Sequence, residues 1–258
     1  MIEVDRQAFP YERIAEDLRS EILSLRRQPG ERLPSEHKLA AQYGTSRPTV
    51  RRAIALLKAE GLVVTEQGKG AFVRPTPHVR LLVTGSNYRR HRRAGLSGFS
   101  AQALEQGQMP EQLIVDVATI AAPPDVSLRL NLDEDAPVVV RRRLFRLDGR
   151  PVALCDSYYP AEWAGDTAIA ELENISGGVH ALIEDPAGPI HRSVARSVDD
   201  LVARMPLPDE VQSLELPPGM PVVRVVRTIY DVDDAPLEVQ DTVAAADRHT
   251  FRYEVSMR

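Results

Sequence analysis

The sequence predicts an α+β chain in which a small helical unit leads and an antiparallel sheet with packed helices follows. Three observations predict it. Apolar residues recur every three or four positions up to about residue 60, the helical period. From about residue 110 they fall in runs separated by turn residues such as Asp148-Gly149-Arg150-Pro151 and Asp233-Asp234-Ala235-Pro236, the pattern of strands joined by hairpins. Between the two regimes stands Pro75-Thr76-Pro77, which breaks regular structure.

In chain order, Tyr11, Ile14, Leu18, Ile22 and Leu25 form one helical stripe, closed by Pro29-Gly30. Ser35 is an N-cap residue for a second helix, where Glu36 suits the positive end of the dipole. Leu39, Ala40 and Tyr43 give its inner face, and Gly44 supplies a tight turn. A third helix is expected from Ser46 to Glu60 with Val50, Ala53, Ile54 and Leu57 inward. Helix, short glycine turn and helix make a helix-turn-helix. Leu62–Glu66 and Ala71–Arg74, joined by Gln67-Gly68-Lys69-Gly70, add a hairpin directly after it. The first unit is thus a winged helix-turn-helix.

The polar side chains of this unit have the chemistry of a nucleic-acid surface. Arg47, Thr49 and Arg51 sit in the first turns of the third helix, off the apolar stripe, where a recognition helix meets the major groove. Arginine there pairs bidentately with guanine, and threonine bonds a base or phosphate. Gly68 lets the wing backbone approach a duplex closely, and Lys69 adds charge. Solvated surface charge is the alternative for any single residue. Net charge divides the same way: +3 over residues 1–75, +5 over 76–100 and −13 over 101–258, within a total of −5. A basic front and an acidic rear suggest that only the front meets a polyanion. The cluster Arg89-Arg90-His91-Arg92-Arg93 is read as backbone-binding, as ligand-binding or as solvated linker.

Composition excludes several classes. The 258 residues are 43% hydrophobic and 27% charged, ordinary for a globular chain. No apolar run approaches the roughly 18 residues of a membrane span, and Met1–Phe9 has no signal-peptide core, so a cytoplasmic location is expected. Cys155 is the only cysteine, which rules out an intrachain disulfide and makes a cysteine-based zinc site unexpected. It is read as a small buried residue rather than a nucleophile. No metal-ligand cluster, paired carboxylates or nucleophile motif is legible, so no catalytic residue, metal or cofactor is expected.

In the rear half, Leu113–Ala121, Val138–Leu147, Val152–Tyr159, Val222–Tyr230, Leu237–Ala245 and Phe251–Val255 are predicted as strands. Trp163–Leu172, Val179–Glu184 and Pro208–Leu214 are predicted as helices. Expected boundaries are 1–75 for the winged unit, 76–97 for a linker and first strand, and 98–258 for the second unit.

Tyr11–Val73 closely resembles the DNA-binding domain of the GntR superfamily. The matching words are Pro29-Gly30-Glu31-Arg32-Leu33-Pro34-Ser35-Glu36, Ser46-Arg47-Pro48-Thr49-Val50-Arg51-Arg52-Ala53 and Gly68-Lys69-Gly70-Ala71-Phe72-Val73. The resemblance implies operator contacts from Arg47, Thr49, Arg51 and Gly68. Ser35, Lys38, Ser46 and Lys69 are added as candidates. His37 stands where relatives often carry a DNA-contacting arginine, and its charge at neutral pH is marginal.

The rear half resembles the UTRA effector domain of HutC-type regulators, which shares its fold with chorismate lyase. The matching words include Gly98-Phe99-Ser100, Pro137-Val138-Val139-Val140-Arg141-Arg142-Arg143-Leu144 and Leu216-Pro217-Pro218-Gly219-Met220-Pro221-Val222. The resemblance implies a chorismate-lyase-like antiparallel sheet with packed helices. It also implies an effector site at Phe99, Ser100, Arg143, Phe145, Cys155, His180 and Glu238. Relatives that sense sugar phosphates carry a second arginine where Phe145 stands and a glutamate where Cys155 stands. Gly178, His180 and Ala244 replace a serine and two tyrosines. A phosphate wants several converging donors, so the expected ligand is larger and more hydrophobic than an amino-sugar phosphate, with at most one acidic group. Arg143 and Phe145 alternate on one strand and share a face. Arg143 holds either a ligand anion or an internal salt bridge to Asp156 or Glu238. His180 is either a ligand contact or a structural histidine.

The expected function is a dimeric repressor on near-palindromic double-stranded operator DNA, controlled by a small molecule. An effector-independent repressor and an enzyme on the chorismate-lyase-like fold stand as alternatives.

Overall fold

The computed structural model of the protein describes residues 9–66, 68–75, 79–83 and 98–253. The Arg89–Arg93 cluster lies outside them. The chain divides into two compact units, Met1–Thr76 and Pro77–Arg258.

In the first unit, α1 (Pro10–Leu23), α2 (Glu36–Gln42) and α3 (Arg47–Ala59) are followed by the hairpin of β1 (Val63–Glu66) and β2 (Gly70–Val73). Ile14, Leu18, Ile22, Leu39, Val50, Ala53, Ile54 and Leu57 are buried together with Leu33, Val63 and Val73. Three helical stripes and one face of the wing thus close a single core. α1 ends six residues before Pro29 because the backbone turns left-handed at Leu25, which is exposed rather than part of the stripe. Residues 30–33 run along the wing: Gly30 and Leu33 donate backbone N–H bonds to Val73 and Ala71, and Val73 donates to Glu31. The segment between α1 and α2 is therefore built into the wing's sheet, which fixes where α2 begins.

The second unit is a six-stranded, wholly antiparallel sheet. In chain order its strands are β4 (Pro110–Ala121), β5 (Pro137–Leu147), β6 (Arg150–Pro160), β7 (Val194–Arg204), β8 (Val222–Asp231) and β9 (Pro236–Ala245). They lie side by side as β4-β5-β6-β9-β8-β7. A separate two-stranded parallel sheet joins β3 (Val79–Val83) to β10 (His249–Tyr253). The expected last strand, Phe251–Val255, begins two residues earlier.

Both faces of the six-stranded sheet are covered. On one, which we call the inner face, α4 (Gly98–Glu105) brings Phe99 and Ala103 to Phe145, Leu147 and Ala153. At the other end of that face Val139, Tyr159 and Leu237 pack with Ala164, Ile169 and Ile183. These come from α6 (Ala161–Ala164), a turn of 3-10 helix at Ala168–Ala170 and α7 (Val179–Ile183). The outer face carries α5 (Pro124–Leu130) over Val138, Val140, Tyr158 and Val239. It also carries a cluster of Leu214, Leu216 and Met220 that follows α8 (Pro208–Ser213).

Three expectations are corrected. The helix expected over Trp163–Leu172 is broken after Ala164, because Thr167 accepts a hydrogen bond from the Ile169 N–H and restarts the chain as a separate short turn. β7 and α5 lie in segments for which no element was expected. β7 has exposed side chains on most of its length, and a half-solvated edge strand with charges carries little apolar signal. α5 is as short as α2 but begins at Pro123-Pro124 without a side-chain cap, so no Ser35-like residue marks its start.

Candidate nucleic-acid interface and effector site

In the first unit, the starts of α2 and α3 are locked by their caps. Ser35 Oγ accepts from the Lys38 N–H and Ser46 Oγ accepts from the Thr49 N–H. The Ser46 and Thr49 hydroxyls lie 2.8 Å apart. Ser35, His37, Lys38, Ser46, Arg47 and Arg51 are exposed, and Thr49 is half-buried. One contact escaped the sequence reading. Glu36 accepts from Arg51 Nε through both carboxylate oxygens at 2.9 Å and from Arg47 at 3.3 Å. Arg51 and Arg47 hold the Glu36 carboxyl below its usual pKa. A residue assigned only to the helix dipole thus joins α2 to the two arginines of α3. The i, i+11 and i, i+15 spacings cross a turn, so no helical period reveals the contact.

Arg52 points elsewhere: its guanidinium lies 3.9 Å from the centre of the Tyr11 ring on α1. At the wing tip Gly68 has φ +75° with open space where a Cβ would stand, which leaves the backbone accessible. Lys69 is exposed and pairs with Glu66 at 2.9 Å.

In the second unit all seven expected effector residues lie on the inner face, where strand alternation puts Arg143, Phe145, Cys155 and Glu238, or on the helices α4 and α7 that cover it. Arg143 lies opposite Cys155, and Phe145 opposite Ala153. The Phe99 and Phe145 rings sit 4.5 Å apart, and the Arg143 guanidinium is 5.4 Å from the Phe145 ring centre. Between the two apolar clusters of this face runs a polar strip. Arg143 donates to Ser157 Oγ and, at 3.2 Å, to Cys155 Sγ. Its Nε is buried and has no hydrogen-bond partner among the described residues. Burial works against the Arg143 charge, but the electron-rich Cys155, Tyr159 and Glu238 outweigh it and raise its pKa. Neither expected salt bridge is made. Asp156 is on the other face beside Arg142, at 3.6 Å, and Glu238 has other partners.

Glu238 is fully buried. It accepts from the Tyr159 hydroxyl at 2.6 Å and the Gln240 amide at 2.8 Å, and lies 2.6 Å from His180 Nε2. Burial alone would raise its pKa, but His180, Tyr159 and Arg143 win and pull it to about 2. His180 on α7 is thus tied to the sheet by a charge-assisted hydrogen bond. Ser100 is on α4, one residue beyond Phe99.

Ser157, Tyr159 and Gln240 were not among the expected site residues. Their signal was period two: Ser157 and Tyr159 share a face with Cys155. Arg141, also missed, shares a face with Arg143 but does different work. It is fully buried and donates to the carbonyls of Ile169, Glu171 and Glu173 at 2.6–2.8 Å, so it anchors the covering segment to the sheet. Among the described residues no group of three or more potential ligands could hold a metal ion. No helix among them is long and apolar enough to cross a membrane.

Comparison with known proteins agrees with this architecture. The gntR family of bacterial regulatory proteins matches residues 10–73, and the UTRA domain matches residues 105–250. The chain belongs to the GntR family of transcriptional regulators, with a UTRA domain as its second unit. An HTH-type transcriptional regulator of Mycobacterium tuberculosis is 30% identical, over 88% of this chain and 78% of its own. The probable fructoselysine utilization operon transcriptional repressor of Escherichia coli O157:H7 is 27% identical, over 87% of this chain and 85% of its own. The HTH-type transcriptional repressor NagR of Bacillus subtilis is 26% identical, over 93% and 92%. Among solved structures, a GntR-family regulator superposes over 98% of this chain and 99% of its own, with TM-score 0.69 and 26% identity. PhnF of Mycobacterium smegmatis, at 23% identity and TM-score 0.59, shares the fold. These relatives are regulators, and α+β is the fold class of the chain.

Proposed function

We propose that this GntR–UTRA regulator is a cytoplasmic repressor that binds a near-palindromic operator as a homodimer. In this reading it is released or retained by a small molecule held on the inner face of the UTRA sheet. It acts by binding rather than by catalysis. Arg47 and Arg51 read base edges, and Thr49 and Ser46 contact base or phosphate. Ser35, His37 and Lys38 hold backbone from α2, and Gly68 with Lys69 follows the phosphates from the wing. Two recognition helices would have to present themselves about one duplex turn apart, roughly 34 Å.

The effector reading rests on one observation: Arg143 is a cation with no carboxylate bonded to it and an Nε without a partner. A buried donor left unpaired costs about 1–3 kcal/mol, a deficit that an incoming anion removes. One guanidinium suits a single carboxylate or phosphate head. Phe99 and Phe145, packed together beside it with their rings tilted at 49°, suit an apolar or aromatic body. That combination favours a mono-anionic metabolite with a hydrophobic part over an amino-sugar phosphate. Cys155 and Ser100 would line the site, and His180 with Glu238 would close its far end.

Thermal-shift measurements test this with inorganic phosphate, glucosamine 6-phosphate and a panel of aliphatic and aromatic carboxylates. The expected result is stabilisation of the UTRA unit by a carboxylate carrying an apolar group, with little effect from the sugar phosphate. Tighter binding of glucosamine 6-phosphate than of every carboxylate would overturn the ligand class.

A further inference from the structure

The sheet has two open edges among the described residues, β4 and β7. They are not equivalent. β4 starts with Pro110 and bulges between Ile114 and Asp116 in its middle. Proline and bulges are the devices that keep an edge from pairing with another chain. β7 is 11 residues long, contains no proline or lysine, and has its one irregularity at the start, between Val194 and Arg196. From Arg196 to Arg204 it pairs regularly with β8 and leaves a straight edge outward. Val198 and Val202 are 42% and 56% exposed on the outer face, and Leu201 is 38% exposed on the inner one. Leu128 of α5 is 82% exposed on that same outer face, where Arg129 reaches Asp200 at 2.7 Å. An edge with apolar side chains exposed on both faces is a template for another strand.

We propose that a second copy of this chain pairs with this edge, β7 against β7, across a two-fold axis through Val198. The inference rests on the homodimer reading above and names its surface. A two-fold axis perpendicular to a sheet places one residue opposite itself, and side chains opposite one another share a face. The charges of β7 then choose among the apolar and central positions. With the axis at Asp200, Asp200 faces Asp200 and Arg196 faces Arg204, two like-charge encounters that destabilise a pair. With the axis at Val202, Val198 falls opposite Pro206, which has no N–H to give, and only residues 200–204 find a partner within β7. With the axis at Val198, Val198 faces Val198 and Ser197 faces Asp199. Arg196 then faces Asp200 twice, once on each side of the axis, in addition to the partner each holds in its own copy, Asp234 for Arg196 at 2.6 Å and Arg129 for Asp200 at 2.7 Å. Of these three registers it alone keeps most of β7 paired without setting like charges opposite one another. The resulting sheet runs unbroken from one copy into the next and buries the valines that β7 leaves open.

Cross-linking tests this. Residues opposite one another across an antiparallel pair have Cα atoms about 4.5–5.5 Å apart, inside the roughly 4.4–6.8 Å range of a disulfide. Val198→Cys is expected to give a covalent dimer under mild oxidation that reductant reverses, while Val115→Cys on β4 stays monomeric on a denaturing gel. The native Cys155 is buried and does not compete. Val198→Lys, at an exposed position, is expected to convert a dimer into a monomer by light scattering while the monomer keeps its far-UV spectrum and a cooperative melt that no longer depends on protein concentration. If the wild-type chain is monomeric at tens of micromolar, the homodimer reading falls and the edge with it. If the wild type is dimeric but Val198→Cys does not cross-link, or Val198→Lys stays dimeric, the interface lies elsewhere and the β7 proposal alone is overturned.

Discussion

The two faces of the UTRA sheet carry arginines one residue apart and treat them in opposite ways. On the outer face Arg142 meets Asp116 and Asp156, and Arg224 meets Asp241 and Asp125. The strip between α5 and the Leu214 cluster is therefore neutralised from within. On the inner face Arg227 is likewise matched by Asp199, but Arg143 stands between two apolar clusters with a thiol and a hydroxyl as its bonded partners, while Glu238 is taken by Tyr159, His180 and Gln240. Charge that is matched internally holds a structure together. Charge left unmatched in a partly buried place is what a ligand recognises. The first unit repeats the matched pattern in the open: Arg47 and Arg51 share Glu36, and at such exposure an ion pair is weak enough to exchange for DNA.

The largest expected effect breaks the comparison on its unmatched side. Arg143→Ala should weaken binding of an effector carboxylate about a hundredfold or more, as loss of a partly buried charge pair does, and leave operator affinity unchanged. A ligand response that survives in gel-shift titrations would remove Arg143 from the site. Next, Arg47→Ala and Arg51→Ala should each lower operator affinity roughly ten- to hundredfold and flatten the preference for guanine at one position. Fluorescence anisotropy with single-base operator variants measures both, and equal discrimination in wild type and variants would refute base reading.

Titration sharpens the comparison through the buried groups of the second unit. His249 is buried and its pKa is lowered to about 4, chiefly by desolvation. The folded state binds this proton less readily than the unfolded one. Its stabilising contribution is therefore complete above the ordinary pKa of 6.5 and is lost as pH falls toward about 4. Glu238, depressed from 4.5 to about 2, adds stability that is complete above about pH 4.5 and is lost as pH falls through about 2. Urea midpoints of the UTRA unit should fall in two stages across these windows, and His249→Phe should remove the upper one. On the matched side, Arg142→Ala should cost only about 1 kcal/mol or less, because its partners are partly exposed. Effector affinity should stay within about threefold, since the proposed site lies on the other face. A large loss of ligand binding would mean that the faces are coupled. The smallest effect is expected at the wing. Lys69→Ala should weaken all duplexes alike by a fewfold and reduce the salt slope by about one, and a change in base preference would contradict its backbone role.

The sequence by itself determined the first unit almost completely. Its helices α1 and α3 are long enough for the 3.6-residue stripe to name their buried side chains, and the caps Ser35 and Ser46 mark where α2 and α3 begin. It also placed Arg143 and Phe145 on one face of their strand, while the register that sets Cys155 opposite Arg143 came from the folded sheet. Tertiary structure decided everything that joins separate segments. Glu36 bonded to Arg51, His180 bonded to Glu238, Arg141 clamped on the loop carbonyls and β7 left at the edge are all contacts between residues far apart in the chain. Local periodicity reports which face a side chain takes, because that follows from the backbone it sits on. It is silent on who waits opposite, because that depends on how distant segments close on one another.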